Sequence, residues 1–404
     1  MRDLIPRPWV YRQPALRAVL GLTLLAGLVS GFVVPFLPLV ARDRGASYGT
    51  IGLMASTFLL AQLVFQFPAG ALADRIGRAR PVMAGLLIEG AATAAFAWAE
   101  STWAFVALRL VQGIGLSLIY PAVRALIVDL APVERRGEAF AAFWSMLNVG
   151  WLLGPALGGL LVSLVGKVPL LVLSGLGEMV LVVPAAFAFR RLIAVRDEVT
   201  HTVTGGSFRP LLGPPLFAAM LLAFGFEVPV GIFSGIWSIY LSELGASELA
   251  LGLSYTAFSV TNLLTLPVGG RLANRRPRWR RMTILALCLG MIVVSYGIPS
   301  VPVLLLLGAV EGALVGLLIP SVDAYLSTIA GPEHQGRVQG AYTTAGIAGA
   351  ALSALGSSAL YGLGQWVPFT VAGVALVALA LPASLVMRVT ERATVPGSRV
   401  RSLV

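Results

Sequence analysis

The chain has 404 residues, 57% of them hydrophobic and only 12% charged, with a mean hydropathy of +0.88. An ordinary soluble domain is about a quarter charged, so this chain cannot cover itself with charge, and its solvent is lipid. The net charge of +11 would fit a nucleic-acid partner, but the basic residues sit in short loops between apolar stretches, a pattern that sets membrane topology and excludes nucleic acid.

Apolar stretches of about 20 residues recur along the chain, each long enough to cross roughly 30 Å of hydrocarbon. Backbone groups in lipid must be paired internally, so each stretch is a helix. In chain order the predicted spans are 16–40, 49–72, 81–99, 102–128, 137–165, 169–190, 215–242, 248–272, 282–298, 301–326, 337–363 and 367–388. A polar stretch with Arg196, Asp197, Glu198, His201 and Gly205-Gly206-Ser207 follows the sixth span. The expected organisation is an N-terminal six-helix bundle over 1–190, a cytoplasmic linker over 191–214, and a C-terminal six-helix bundle with a short cytoplasmic tail over 215–404. Placing both termini in the cytoplasm assigns 24 of the 29 Lys and Arg to inner segments and leaves only Arg42, Arg44 and Lys167 outside. That bias sets the orientation and implies a multi-pass protein of the cell membrane. The first span is too long for the apolar region of a signal peptide, so no cleavable signal is expected.

Several chemistries are excluded by what the spans lack. Cys288 is the single cysteine, which rules out a disulfide framework or a paired-cysteine metal site. His201 and His334 both fall in predicted loops. With no histidine in a span, no HExxH and no paired catalytic aspartates, the chain is read as no enzyme, and no metal is expected. No GxxxxGK[ST] phosphate loop is present, so no nucleotide cofactor drives it.

The two halves match in register. Gly45-Ala46-Ser47 and Gly245-Ala246-Ser247 stand 200 residues apart, as do Gly52, Leu53 and Phe58 against Gly252, Leu253 and Phe258. Pro68 and Gly70 meet Pro267 and Gly269 at an offset of 199, which also relates Gln112-Gly113, Pro121 and Gly137 to Glu311-Gly312, Pro320 and Gly336. Each half starts inside and holds an even number of helices, so the repeat is parallel, with a pseudo-two-fold axis along the membrane normal.

Between the second and third spans runs Gly70-Ala-Leu-Ala-Asp74-Arg75-Ile-Gly77-Arg78-Ala-Arg80. Its glycines permit a sharp turn, Asp74 can meet the positive end of a helix or an arginine, and Arg75, Arg78 and Arg80 hold the loop inside. A degraded copy, Gly269-Gly-Arg271-Leu-Ala-Asn274-Arg275, follows in the second half. The first copy resembles the loop motif Gly-x-Leu-x-Asp-Arg-x-Gly-Arg of the major facilitator superfamily. The match is complete through Arg78; Ala79 stands where a second basic residue is usual, and Arg80 follows one place late. The resemblance extends over essentially the whole chain in length, helix count and repeat. It implies an all-α fold of twelve transmembrane helices in two six-helix halves. It also implies that this loop latches one state of the transporter, with Asp74 joined by an arginine at the cytoplasmic end of the fourth span. Arg124 is the candidate, with Asp129 nearby. In the second half the offset of 199 puts Asp323 opposite Arg124, so the expected gate clusters are Asp74 with Arg124, and Asp323 with Arg271 or Arg275.

Further motifs narrow the branch. Gly31-Phe-Val-Val-Pro35-Phe-Leu-Pro38 in the first span is similar to a pattern of drug exporters. In the fourth span, Arg109 and Gln112 are three apart and share one helix face. Arg109-Leu-Val-Gln112-Gly113 resembles a family motif linked to proton transfer. In the fifth span, Gly150, Gly154 and Gly158 form a flat stripe suited to close helix packing, and Pro155 favours a kink. Together with Gly159 they resemble, at every defined position, the Gly-x-x-x-Gly-Pro-x-x-Gly-Gly motif of the superfamily's drug:proton antiporter branch.

Carboxylates inside spans are expensive and therefore informative. Four are present: Glu89, Glu178, Glu227 and Glu311. The resemblance implies that the first, fourth, seventh and tenth spans line the cavity. Glu227 and Glu311 are therefore assigned, with Arg109 and Gln112, to proton coupling in the cavity, while Glu89 and Glu178 are assigned to packing. Trp144, Asn148 and Trp151 on the fifth span, and Tyr255 and Asn262 on the eighth, are candidate substrate contacts, since aromatic walls with a carboxylate suit lipophilic or cationic molecules. The expected function is secondary active transport by alternating access: proton-coupled efflux of small organic compounds by a monomer in the lipid bilayer, with substrate and protons as its partners. The alternative is a sugar or metabolite symporter or uniporter of the same superfamily.

Overall fold

The computed structural model describes residues 9–132, 135–194, 213–273, 275 and 277–393, with the side chains of 137, 190–194, 330–336 and 392–393 left out. The linker around His201, the side chain of His334, Asn274 and the tail beyond 393 lie outside the described residues. Every described element is helical. The α-helices are α1 Pro14–Val33, α2 Leu37–Asp43, α3 Tyr48–Ile76, α4 Ala79–Ala95, α5 Thr102–Leu130, α6 Arg136–Val165, α7 Lys167–Val180, α8 Val182–Ala194, α9 Pro214–Glu243, α10 Glu248–Ala273, α11 Arg278–Ser295, α12 Val301–Leu363 and α13 Val367–Ala393.

Among the described residues eleven helical segments are long and apolar enough to cross a membrane. The predicted ninth span differs: it forms α11, an 18-residue helix that opens on Arg278, Arg280 and Arg281. Two predicted spans are broken by proline. The first divides into α1 and α2 around Pro35, which has no N–H to return to Gly31. The sixth divides at Leu181 into α7 and α8, because Pro184 cannot donate to the Val180 carbonyl. The predicted tenth and eleventh spans are joined in one unbroken helix, α12, whose two span-length parts are Val301–Ile329 and Arg337–Leu363. Phe67 is 86% exposed and Leu363 77%; such side chains are tolerable on this surface because lipid, not water, covers it.

The internal repeat recurs in local geometry. Gly45 and Gly245 take left-handed φ values of 83° and 80°. Each is followed by an alanine whose N–H reaches back five residues, Ala46 to the Ala41 carbonyl and Ala246 to that of Leu241, both at 3.0 Å. This is the 6→1 bond of a glycine-terminated helix. Two residues on, Ser47 and Ser247 cap the next helix by accepting from the N–H groups of Thr50 and Ala250 at 3.1 and 3.2 Å.

The chain forms two compact units, one comprising 1–202 with 241–256 and the other 203–240 with 257–404. In the first unit α1 packs on α6, α3 on α5, and α4 on both α5 and α7. Its core gathers Leu16, Val19, Val82, Leu86, Ala122, Ile127, Phe143 and Phe189. In the second unit α11 packs on α12 and α13, around Leu222, Met282, Leu289, Val322, Tyr325, Leu376 and Met387.

Candidate transport site

In the first unit the functional side chains lie on α1, α4, α5 and α7. Arg109 of α5 donates from Nη1 to Gln112 Oε1 at 3.0 Å, one helical turn away. The Gln112 amide donates in turn to Thr93 Oγ1 of α4 at 2.7 Å, and Thr93 donates to the Glu89 carbonyl at 2.8 Å. The guanidinium sits over the Phe58 ring of α3, 4.6 Å from its centre. Arg109 Nε is buried without a hydrogen-bond partner. A charge inside a span survives only when partners replace water, and here an amide and an aromatic face do so. Arg109 and Gln112 thus share one network, and it enters α4 beside Glu89.

The glycine stripe of α6 lies against α1. A Cβ on Gly150 would stand 2.8 Å from the Leu24 carbonyl oxygen, and one on Gly154 2.6 Å from that of Leu28. Gly158 faces Phe32 in the same way. The helix therefore presents bare backbone to α1 at three successive turns, and this permits the close approach. The other side of the motif meets residues 248–256, which belong to the same unit. Thr256 donates to the Leu152 carbonyl at 2.8 Å, and a Cβ on Gly159 would lie 2.7 Å from the Glu248 carbonyl oxygen. Of the expected substrate contacts, Trp144 is 46% exposed and edges Phe143, while Asn148 donates back to the Trp144 carbonyl at 2.8 Å. Trp151 reaches the Tyr120 hydroxyl, and Tyr255 lies near Arg109.

In the second unit Glu311 accepts from the Tyr296 hydroxyl at 2.5 Å. Tyr296 belongs to an aromatic cluster with Phe233, Trp237 and Phe369, its ring centre 5.1 Å from those of Phe233 and Trp237. Glu227 of α9 packs against Gly346 with Tyr342 nearby. Asn262 is buried and donates to the Gly312 carbonyl at 3.4 Å, so it fastens α10 to α12.

The gate pairs differ from expectation. Asp74 pairs with Arg78, and Arg78 reaches Asp129 at 3.4 Å. Arg124 is exposed and takes no part in these pairs. The reason is local. Spacing i,i+4 brings Arg78 to Asp74 across the turn at Gly77, whose φ of 93° suits glycine alone. Gly70 lies within 3.8 Å of Pro121 if given a Cβ, while Arg75 stays exposed. In the second unit Asp323 is exposed and enters none of the ion pairs found among the described residues. Arg271 and Arg275 are therefore not its partners, and Arg281 instead reaches Ser321 and the Arg275 carbonyl at 3.2 and 3.1 Å. The carboxylate at this end comes from Glu391, which accepts from the N–H groups of Arg278 and Trp279 at 3.0 Å and so caps α11. Sequence reasoning missed Glu391 because it lies more than 110 residues from the helix it caps.

The comparisons with known proteins agree with this architecture. A bacterial homologue of the human lysosomal transporter Spinster, solved in an inward-facing, unoccupied conformation, superposes with a TM-score of 0.75 over 95% of this chain and 98% of its own, at 14% identity. Multidrug resistance protein 2 of Bacillus subtilis is 25% identical over 367 residues, covering 87% of this chain and 90% of its own. Quinolone resistance protein NorA of Staphylococcus aureus is 23% identical over 223 residues, 53% of this chain and 55% of its own. The family model of the Major Facilitator Superfamily matches twice, at residues 19–230 and 216–402. This multi-pass membrane protein, built twice on one helical plan, belongs to the Major Facilitator Superfamily.

Proposed function

We propose that the chain exports small lipophilic or cationic organic compounds in exchange for protons, by alternating access, as a monomer in the cell membrane with both termini in the cytoplasm. The observation that carries this reading is the network of Arg109, Gln112, Thr93 and the Glu89 main-chain carbonyl, a buried cation held by hydrogen bonds inside spans. Such groups are retained in lipid where they bind or relay something charged. The likeness to a multidrug resistance protein over 87% of this chain supports drug-like organic substrates. Glu227 and Glu311 are the proposed carboxyls at which cation and proton compete, Glu311 beside an aromatic cluster suited to apolar cations. Everted vesicles energised by a proton gradient should accumulate tetraphenylphosphonium and release it when a protonophore is added. Gradient-driven uptake of a sugar with no response to tetraphenylphosphonium would favour a symporter instead.

The Asp74–Arg78–Asp129 cluster is the proposed latch. It is partly exposed, so its stabilisation is small in any one state, roughly 0–1 kcal/mol. Its role is to bias one state over another. Asp74→Asn should lower tetraphenylphosphonium accumulation by up to about fivefold, the effect of losing at most about 1 kcal/mol of bias, while membrane insertion is unchanged. Wild-type accumulation by that variant would remove the latch.

A further inference from the structure

Glu178 on α7 is 1% exposed and Glu89 on α4 is 7% exposed. The Ser30 hydroxyl of α1 donates to Glu178 Oε1 at 2.9 Å and is also within hydrogen-bonding reach of Glu89. The other oxygen of the Glu178 carboxyl, Oε2, is buried and has no hydrogen-bond partner. The helices that carry the pair are tightly apposed: a Cβ on Gly90 would stand 3.1 Å from that of Glu178. One turn away, Ser174 donates to the Val29 carbonyl at 2.8 Å and ties α7 to α1.

Two carboxylates in one low-dielectric pocket do not both ionise cheaply, and a buried carboxyl oxygen without a donor is costly. One proton held between the pair answers both demands, as it does for paired carboxyls elsewhere. α1 offers the pair the Ser30 hydroxyl and no titratable group, while α5 offers Arg109 and Tyr120, both of which face Glu89. We propose that Glu89 and Glu178, bridged by Ser30, form a shared proton site of the first unit, separate from Glu227 and Glu311. Its use in transport rests on the proton-coupled reading above; its existence does not. When the proton leaves to water, the pair carries two negative charges and one cation, Arg109, faces them. Arg109 is then drawn from Gln112 toward Glu89, so the protonation state is transmitted to α5 through the charge of Arg109.

The test is infrared difference spectroscopy of the full-length protein in liposomes, titrated with pH in the absence of any substrate, alongside proton-driven accumulation of tetraphenylphosphonium. The wild type should show a titrating protonated-carboxyl band that persists when Glu227 and Glu311 are both replaced by glutamine. Glu178→Gln and Glu89→Gln should each remove it, and Ser30→Ala should move its midpoint without deleting it. Accumulation in Glu178→Gln should fall at least about tenfold, in the range attributed to a positioned proton-transfer group. A band unchanged in both glutamine variants overturns the site, and wild-type accumulation in Glu178→Gln overturns its use in transport. If Glu178→Gln does not fold, an unmoved midpoint in Ser30→Ala overturns it. A wild type that shows the titrating band yet no proton-driven flux would refute the coupling reading and leave the site intact.

Discussion

Arg109→Lys should reduce transport of a lipophilic cation by about a hundredfold or more while the protein still inserts and folds, the scale expected when a fixed charge and its hydrogen bonds are lost together. The guanidinium does two things at once. Its Nη1 donates to Gln112 at 3.0 Å, and its Cζ lies over the Phe58 ring, 4.6 Å from the ring centre. A lysine ammonium is a compact point charge that keeps a hydration shell and cannot present both a fork and a flat face. Either the contact to Gln112 or the stacking on Phe58 is lost, and Gln112 is then free to leave Thr93. Vesicle accumulation of tetraphenylphosphonium measures the loss, and size-exclusion behaviour in detergent reports folding. Transport within about twofold of wild type, well below one kcal/mol, would mean that only the charge at this position matters.

The second large effect is on stability. A Cβ on Gly154 would stand 2.6 Å from the Leu28 carbonyl oxygen and 2.8 Å from the Gly31 Cα, both backbone atoms of α1. Backbone on a packed helix cannot yield without moving the whole helix, so Gly154→Leu must drive α1 and α6 apart. Overpacking of this kind destabilises by about 3 kcal/mol or more, and little monodisperse protein should be recovered. Gly356→Ala is the matching control. No atom lies within 4 Å of the position its Cβ would take, and alanine is the better helix former by up to about 1 kcal/mol. Comparing the thermal unfolding of the two variants separates a packing requirement from a general intolerance of side chains. Equal stability of Gly154→Leu and the wild type would show that α1 and α6 are not in close contact.

The contrast between these two residues indicates what the sequence reveals and where it stops. Helix positions were legible because apolar length is a physical requirement of lipid, and the half-to-half register was legible because Gly45 and Gly245 must each end a helix in a left-handed turn. The stripe Gly150, Gly154 and Gly158 announced close packing by its spacing, though not that α1 is the partner. Breaks inside spans were readable in principle from Pro35 and Pro184, but proline is so common in membrane helices that each break needs the backbone to locate it. The Asp74–Arg78 pair was not legible because i,i+4 reach across the Gly77 turn competes with the more distant Arg124, and periodicity alone cannot weigh the two. Glu89 and Glu178 were assigned to packing on the strength of their helices' position. Nothing in their spacing, 89 residues apart, points to a common partner, and only the fold places Ser30 beside both.

The proposed activity is exchange of an organic cation for protons. Its most direct test is the full-length protein in liposomes with a pH-sensitive dye trapped inside, challenged in turn with tetraphenylphosphonium and with sugars. Proton movement opposite to the cation is expected whenever a tetraphenylphosphonium gradient is imposed, and none with sugars. Cation flux without any change of internal pH, or protons moving together with a sugar, would contradict it.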